Sequence, residues 1–176
     1  STSRRQRQMC IRDSPWAILL DPTSACNLHC TGCWAAEYGH KLNLSYEKLS
    51  DIISQGKELG TYFYMFTGGE PLVRKKDILR LAEEHHDCEF HCFTNGTLID
   101  GEFCEAVQKL GNISFSLSLE GFEEVNDGRR GEGIFDKVLA AMDLMKKHGL
   151  LFGTSICYTR ANLETVTSDE FLDLLI

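Results

Sequence analysis

Short apolar runs alternate with amphipathic helical stripes from Trp16 to the last residue, and this pattern limits the fold more than any other feature of the chain. Trp16–Leu20 is a continuous apolar run, as a strand buried on both faces of a parallel sheet should be. Further strands are expected at Thr61–Thr67, Cys88–Phe93, Ile113–Leu119 and Leu151–Tyr158. Between them, Leu49, Ile52, Ile53 and Leu59 form a helical stripe that Ser45 caps and Gly60 ends. Asp77–His86, Gly101–Leu110 and Phe135–His148 read as helices in the same way, the last stopping at Gly149, and Ser168–Ile176 as a final helix capped by Ser168 or Asp169. Alternation of this kind predicts an α/β fold with a parallel sheet.

Within that frame, Cys26-Asn-Leu-His-Cys30-Thr-Gly-Cys33 places three cysteines in one loop directly after the first strand. Three thiolates in a short loop suit a four-iron cluster with one iron left open to a non-protein ligand. A structural zinc site is the alternative, and it requires a fourth ligand such as His29 or His40. A second motif, Thr67-Gly-Gly-Glu-Pro71, follows the second strand, Asn95 follows the third, and Ser118 and Glu120 end the fourth. Ligands of parallel βα folds meet the loops at these carboxyl ends.

Together, Cys26, Cys30, Cys33 and the Gly68-Gly69-Glu70 turn resemble the radical S-adenosylmethionine (SAM) enzymes, in the branch that often carries a SPASM or twitch extension. The resemblance implies a partial (β/α) TIM-like barrel. Five of its usual six βα units are present, so the chain is expected to be truncated at the C-terminus. It implies a [4Fe–4S] cluster on the three cysteines, with SAM chelating the fourth iron and Gly68, Gly69 and Glu70 facing the SAM amino group. Ser118-Leu-Glu120-Gly121 is similar to a Ser-Leu-Asp-Gly segment of the family near the SAM ribose and carboxylate, with Glu in place of the usual Asp. Arg130 matches the family's SAM-carboxylate arginine better than Arg129, and a solvent loop of turn formers is the other reading of Asn126–Gly131. The family's aromatic residue before the third cysteine is Gly32 here, so Trp34 is either an adenine contact or core packing.

The activity so implied is reductive cleavage of SAM to a 5′-deoxyadenosyl radical for hydrogen abstraction, in peptide or small-molecule/cofactor maturation. It would use a flavodoxin- or ferredoxin-type electron donor. The alternatives are a non-catalytic iron–sulfur or zinc module and a radical SAM methylase.

Residues 1–14 resemble the translation of a transposase sequencing adapter and are expected to be non-native, leaving 15–176 as the core domain. Without them 14 basic and 25 acidic residues remain, a balance that offers no electrostatic case for nucleic acid. No apolar run approaches the roughly 18 residues of a membrane span. Cys88, Cys92, Cys104 and Cys157 read as buried small hydrophobes, and the cysteine usage as that of a reduced cytoplasm. His85, His86, His91 and His148 are not paired as a base or metal site.

Overall fold

The computed structural model describes residues 14–35, 39 and 41–176. The expected adapter segment (apart from Ser14) and His40 lie outside them. Five strands, β1 (Ala17–Leu20), β2 (Phe63–Phe66), β3 (Glu89–Thr94), β4 (Ile113–Ser118) and β5 (Phe152–Ser155), form one parallel sheet in the order β1-β2-β3-β4-β5. The helices are α1 (Tyr46–Glu58), α2 (Lys75–Glu84), α3 (Gly101–Leu110), α4 (Glu123–Arg130), α5 (Ile134–Lys147), α6 (Leu163–Val166) and α7 (Asp169–Leu175). A 3₁₀ turn, Pro71–Arg74, leads into α2. An unbroken sequential order has no point at which the winding reverses. Right-handed crossovers therefore lay the helices on one face and leave the other as the concave side of a barrel arc.

Burial follows that geometry. Tyr64, Phe66, Phe90, Cys92, Phe115 and Leu117 are fully buried on the helix side, while the alternate residues Phe63, Met65, His91, Phe93 and Ser116 are half-buried. Phe66 and Phe90 stack nearly flat at 5.7 Å across neighbouring strands. Tyr64 reaches past them to share its single hydroxyl proton between the carbonyls of Ile53 and Thr61, 2.8 and 2.9 Å away. Gly56 of α1 makes room for that ring, since a Cβ there would lie 2.2 Å from the Tyr64 Oη. Gly→Ala within a helix ordinarily stabilises by up to about 1 kcal/mol. Here Gly56→Ala is expected to lower the urea midpoint instead, because the buried phenol is held at its hydroxyl by two carbonyls. A raised midpoint would show that the ring has room to move.

One alternative reading and one expectation give way. Glu123–Arg130 is a helix, not a solvent loop, although Asn126, Asp127 and Gly128 are poor helix formers. Tertiary bonds outweigh the propensity: Asn126 Oδ1 accepts from the Glu120 N–H at 3.2 Å, and the Asp127 carboxylate accepts from the N–H groups of Gly133 and Phe135 at 2.6 and 2.8 Å. Cys157 is exposed rather than buried, because β5 ends at Ser155 and the thiol lies beyond the sheet. Cys88, Cys92 and Cys104 are buried as expected, and burial pushes the Cys88 thiol up to about 11.

Candidate active site at the carboxyl ends of the strands

The loop after β1 is stitched backbone to backbone onto the turn after β2. Thr67, Gly69 and Glu70 donate their N–H groups to the carbonyls of Leu20, Thr23 and Ala25 at 3.0, 3.0 and 2.8 Å. The approach is so close that a Cβ on Gly69 would lie 2.2 Å from the Ala25 carbonyl oxygen. Gly68 has φ +101°, a left-handed conformation open to glycine, with the Thr23 oxygen 2.8 Å from where its Cβ would be. Both glycines thus set the position of the segment that runs directly into Cys26.

Cys26, Cys30 and Cys33 are each half-buried and line one recess together with Ser24, Leu28, Ala35 and Gly69. The Leu28 N–H donates to Cys26 Sγ at 3.4 Å. Burial raises the Cys26 and Cys30 thiols above the ordinary range; the guanidiniums of Arg130 and Arg129 oppose the shift at Cys30. Among the described residues no three His, Cys, Asp or Glu side chains converge as the ligands of a single ion, and His29 is exposed. The donor set fits a multi-iron cluster: three thiols around a shared recess, with cationic groups beside one of them to offset thiolate charge.

Glu70 is 1% exposed. Its carboxylate accepts from the Leu72 N–H (2.9 Å), the Thr94 hydroxyl (2.7 Å) and the Asn95 N–H (2.8 Å). Burial raises its pKa, and these three donors act against the rise. The carboxylate therefore ties the end of β2 to the end of β3. Asn95 extends the tie to the cysteine loop, its Nδ2 donating to Asn27 Oδ1 at 2.9 Å, while Asn27 Nδ2 donates to Thr97 Oγ1 at 2.8 Å. Asn27 lies inside the cysteine motif, yet its partners are 68 and 70 residues away, and sequence reasoning missed it.

Glu120 is fully buried and holds both arginines. Its Oε1 bonds the guanidiniums of Arg129 and Arg130, and its Oε2 accepts from the Cys157 N–H at 3.0 Å. Arg129, which the sequence reading ranked below Arg130, also grips the cysteine loop. The Thr31 N–H donates to its carbonyl at 2.8 Å, and its Nε donates to the Thr31 carbonyl at 3.3 Å. Asn162, another residue the sequence reading passed over, donates Nδ2 to the carbonyls of Glu120 and Cys157 at 2.9 and 3.1 Å. One carboxylate against two guanidiniums leaves a surplus positive charge beside Cys30.

Ser118 is half-buried at the end of β4, in register with Ser155 of β5. Trp34 is 55% exposed, which removes it from the core. It borders a cavity of about 610 Å³ lined also by Asp21, Leu42, Leu44, Gly68 and Gly69. This cavity and the cysteine recess share Ser24, Ala35 and Gly69 as a common wall. The sequence-derived residues are thus distributed over the carboxyl ends of β1 to β4, and hydrogen bonds join the loops that carry them.

Residues 20–175 match the Radical SAM superfamily. The Fe-coproporphyrin III synthase of Methanosarcina barkeri is 30% identical over 169 residues, which is 93% of this chain and 42% of that protein. The mycofactocin maturase MftC of Mycolicibacterium smegmatis is 30% identical over 168 residues, 92% of this chain and 42% of its own length. The chain therefore spans under half the length of these relatives. SuiB of Streptococcus suis, solved with S-adenosylmethionine bound, shares the fold with a TM-score of 0.79 at 22% identity, over 98% of this chain and 42% of that one. By its matched family and by the fold that carries the three cysteines, this chain belongs to the radical SAM superfamily.

Proposed function

We propose that this chain is the catalytic core of a radical SAM enzyme, with a [4Fe–4S] cluster held by Cys26, Cys30 and Cys33. SAM would lie over Gly68, Gly69, Asn95, Ser118 and the Glu120–Arg130 pair, with Trp34 toward the adenine. The observation that carries this reading is the hydrogen-bonded seam joining the cysteine loop to the Gly-Gly-Glu turn and, through Thr31, to Arg129. When bound, the cluster and SAM would, with one electron from a donor and release of methionine, supply a 5′-deoxyadenosyl radical for hydrogen abstraction from an unactivated carbon.

The protein's own contribution is positional and electrostatic. The surplus guanidinium charge around Glu120 suits the SAM carboxylate, since a charge-assisted hydrogen bond contributes about 1.5–3 kcal/mol. Glu70 would stand beside the SAM amino group, and three protein donors on its carboxylate would also hold the turn whose backbone faces the ligand.

The substrate side is read from similar proteins: an Fe-coproporphyrin III synthase, a mycofactocin maturase and SuiB, solved with its precursor peptide SuiA, support peptide or small-molecule/cofactor maturation. A flavodoxin- or ferredoxin-type donor would supply the electron, in the cytoplasm. Among the described residues no helix is long and apolar enough to cross a membrane.

Anaerobic reconstitution of the full-length protein with iron and sulfide tests the cysteine assignment. About four irons per chain are expected in the parent, given a four-iron cluster, and fewer than one after Cys26→Ala, Cys30→Ala or Cys33→Ala. A colourless protein carrying one zinc would contradict it.

A further inference from the structure

The concave face of the sheet holds a side-chain cluster that the cysteine and SAM residues do not use. His91 of β3 is half-buried there, with Nδ1 3.0 Å from Ser114 Oγ and Nε2 2.9 Å from Ser116 Oγ. Ser114 lies opposite His91 in the β3–β4 register, and Ser116 is two residues further along the same face. The imidazole is also held on its flat and edge, stacking with Phe63 at 6.3 Å and meeting Phe93 edge-on at 5.0 Å. Burial lowers the pKa of the ring, with Glu89 opposing, so the ring is neutral near pH 7.

A neutral imidazole has one N–H and one bare nitrogen. One serine therefore accepts from the ring and the other donates to it. Ser114 is buried, whereas Ser116 is half-exposed and presents the remaining hydrogen-bonding capacity of its hydroxyl to the concavity. Ser118 and Ser155 continue this hydroxyl row toward the strand ends, and a Cβ on Gly153, in register with Ser116, would meet nothing within 4 Å.

Charge decides what fits. None of the five strands contains a lysine or arginine, and the one acidic strand residue is Glu89, at the amino-terminal end of β3. A polyanion entering here would lose hydration without a counter-charge on the strands, since Arg129 and Arg130 lie beyond their carboxyl ends and are bound to Glu120, and that loss is costly. An amide carries one donor, one acceptor and no net charge, which is what a row of fixed hydroxyls beside two aromatic rings complements.

We infer that this face binds an uncharged, amide-bearing segment of the substrate, positioned by the Ser114–His91–Ser116 relay through the Ser116 hydroxyl, with Phe63 and Phe93 covering its apolar side. The inference rests on the strand ends being the reaction site, as proposed above. It names His91 and Ser116 as positioning residues for the substrate rather than ligands of cluster or SAM.

The test uses the full-length, cluster-loaded protein without SAM. Two end-capped hexapeptide probes carry the same diazirine side chain, one otherwise of alanine and serine, the other otherwise of glutamate. After irradiation, mass spectrometry maps the labelled residues. The uncharged probe should label β2–β4 at the concave face at least tenfold more than the glutamate probe. Ser116→Ala should reduce that labelling about fivefold, the effect of one hydrogen bond. His91→Phe should do likewise, and His91→Gln, which keeps a donor and an acceptor, should retain it. Equal or stronger labelling by the glutamate probe overturns the proposal, as does undiminished labelling of Ser116→Ala. The readout needs no SAM cleavage. A protein labelled in the expected pattern yet unable to cleave SAM therefore overturns the function proposed above and supports the amide-binding face. One that cleaves SAM but is not labelled by the uncharged probe overturns the inference alone.

Discussion

Replacing Glu120 with glutamine should lower the stability of the full-length protein by about 3–5 kcal/mol, the usual cost of removing one partner from a buried ion pair. Glu120 is fully buried, and the Arg129 and Arg130 side chains are 24% and 12% exposed, so water cannot take over the lost charge. The variant would leave two guanidiniums facing a neutral amide and would weaken the bond to the Cys157 N–H. The effect should also reach the cysteines, because Arg129 holds Thr31 through both its carbonyl and its Nε. Iron retention during dialysis against a chelator is therefore expected to fall together with the urea midpoint. Glu120→Asp keeps the charge, but its shorter side chain cannot meet both arginines and the Cys157 amide at once, so an intermediate loss is expected. A Glu120→Gln protein as stable as the parent would show that the pair contributes little net energy.

Gly69→Ala is expected to be as damaging for a different reason. A methyl group there would lie 2.2 Å from the oxygen and 2.6 Å from the carbon of the Ala25 carbonyl, and 2.7 Å from the Ser24 carbon. All three atoms are backbone, immediately before Cys26, so relief of the clash must move the cysteine loop away from the turn. The Gly69 and Glu70 N–H bonds to Thr23 and Ala25 would be lost with it. Iron content after reconstitution should drop to less than half that of the parent, while the helical circular dichroism signal is kept, since the clash is confined to two loops. Gly101→Ala, at a helix start where φ is not positive and a Cβ meets nothing within 4 Å, is the control for the added methyl group alone and should leave iron content unchanged. Full iron loading of Gly69→Ala would contradict the seam as the element that positions the cysteines.

The parallel sheet was legible because strands buried between layers read as apolar runs, and because caps such as Ser45 and Ser168 stand where helices begin. Strand ends were less so: the apolar residues Leu151, Ile156 and Tyr158 extend the pattern of β5 beyond Phe152–Ser155, where pairing with β4 stops. Helix α4 was hidden because its stability comes from Asn126 and Asp127 bonding residues outside it, which local propensity does not register. At the site, the cysteines and glycines were visible as a local pattern. The partners that hold them were not: Asn27 with Thr97, Arg129 with Thr31, and His91 with Ser114 and Ser116 are separated by 23 to 98 residues. Glu70 illustrates the limit in a single residue. Its motif points to a ligand-facing carboxylate, and only the fold brings Thr94 and Asn95 onto its oxygens.

The most direct test of the central claim is SAM cleavage by the anaerobically reconstituted, reduced full-length protein. Formation of 5′-deoxyadenosine and methionine would be followed beside a Cys30→Ala control, with the electron paramagnetic resonance signal of the reduced cluster recorded before and after SAM. The account predicts cleavage that disappears in Cys30→Ala, and a cluster signal that changes when SAM is added. A loaded four-iron cluster whose signal ignores SAM, with no 5′-deoxyadenosine formed, would contradict it and leave an electron-transfer or structural iron–sulfur module in its place.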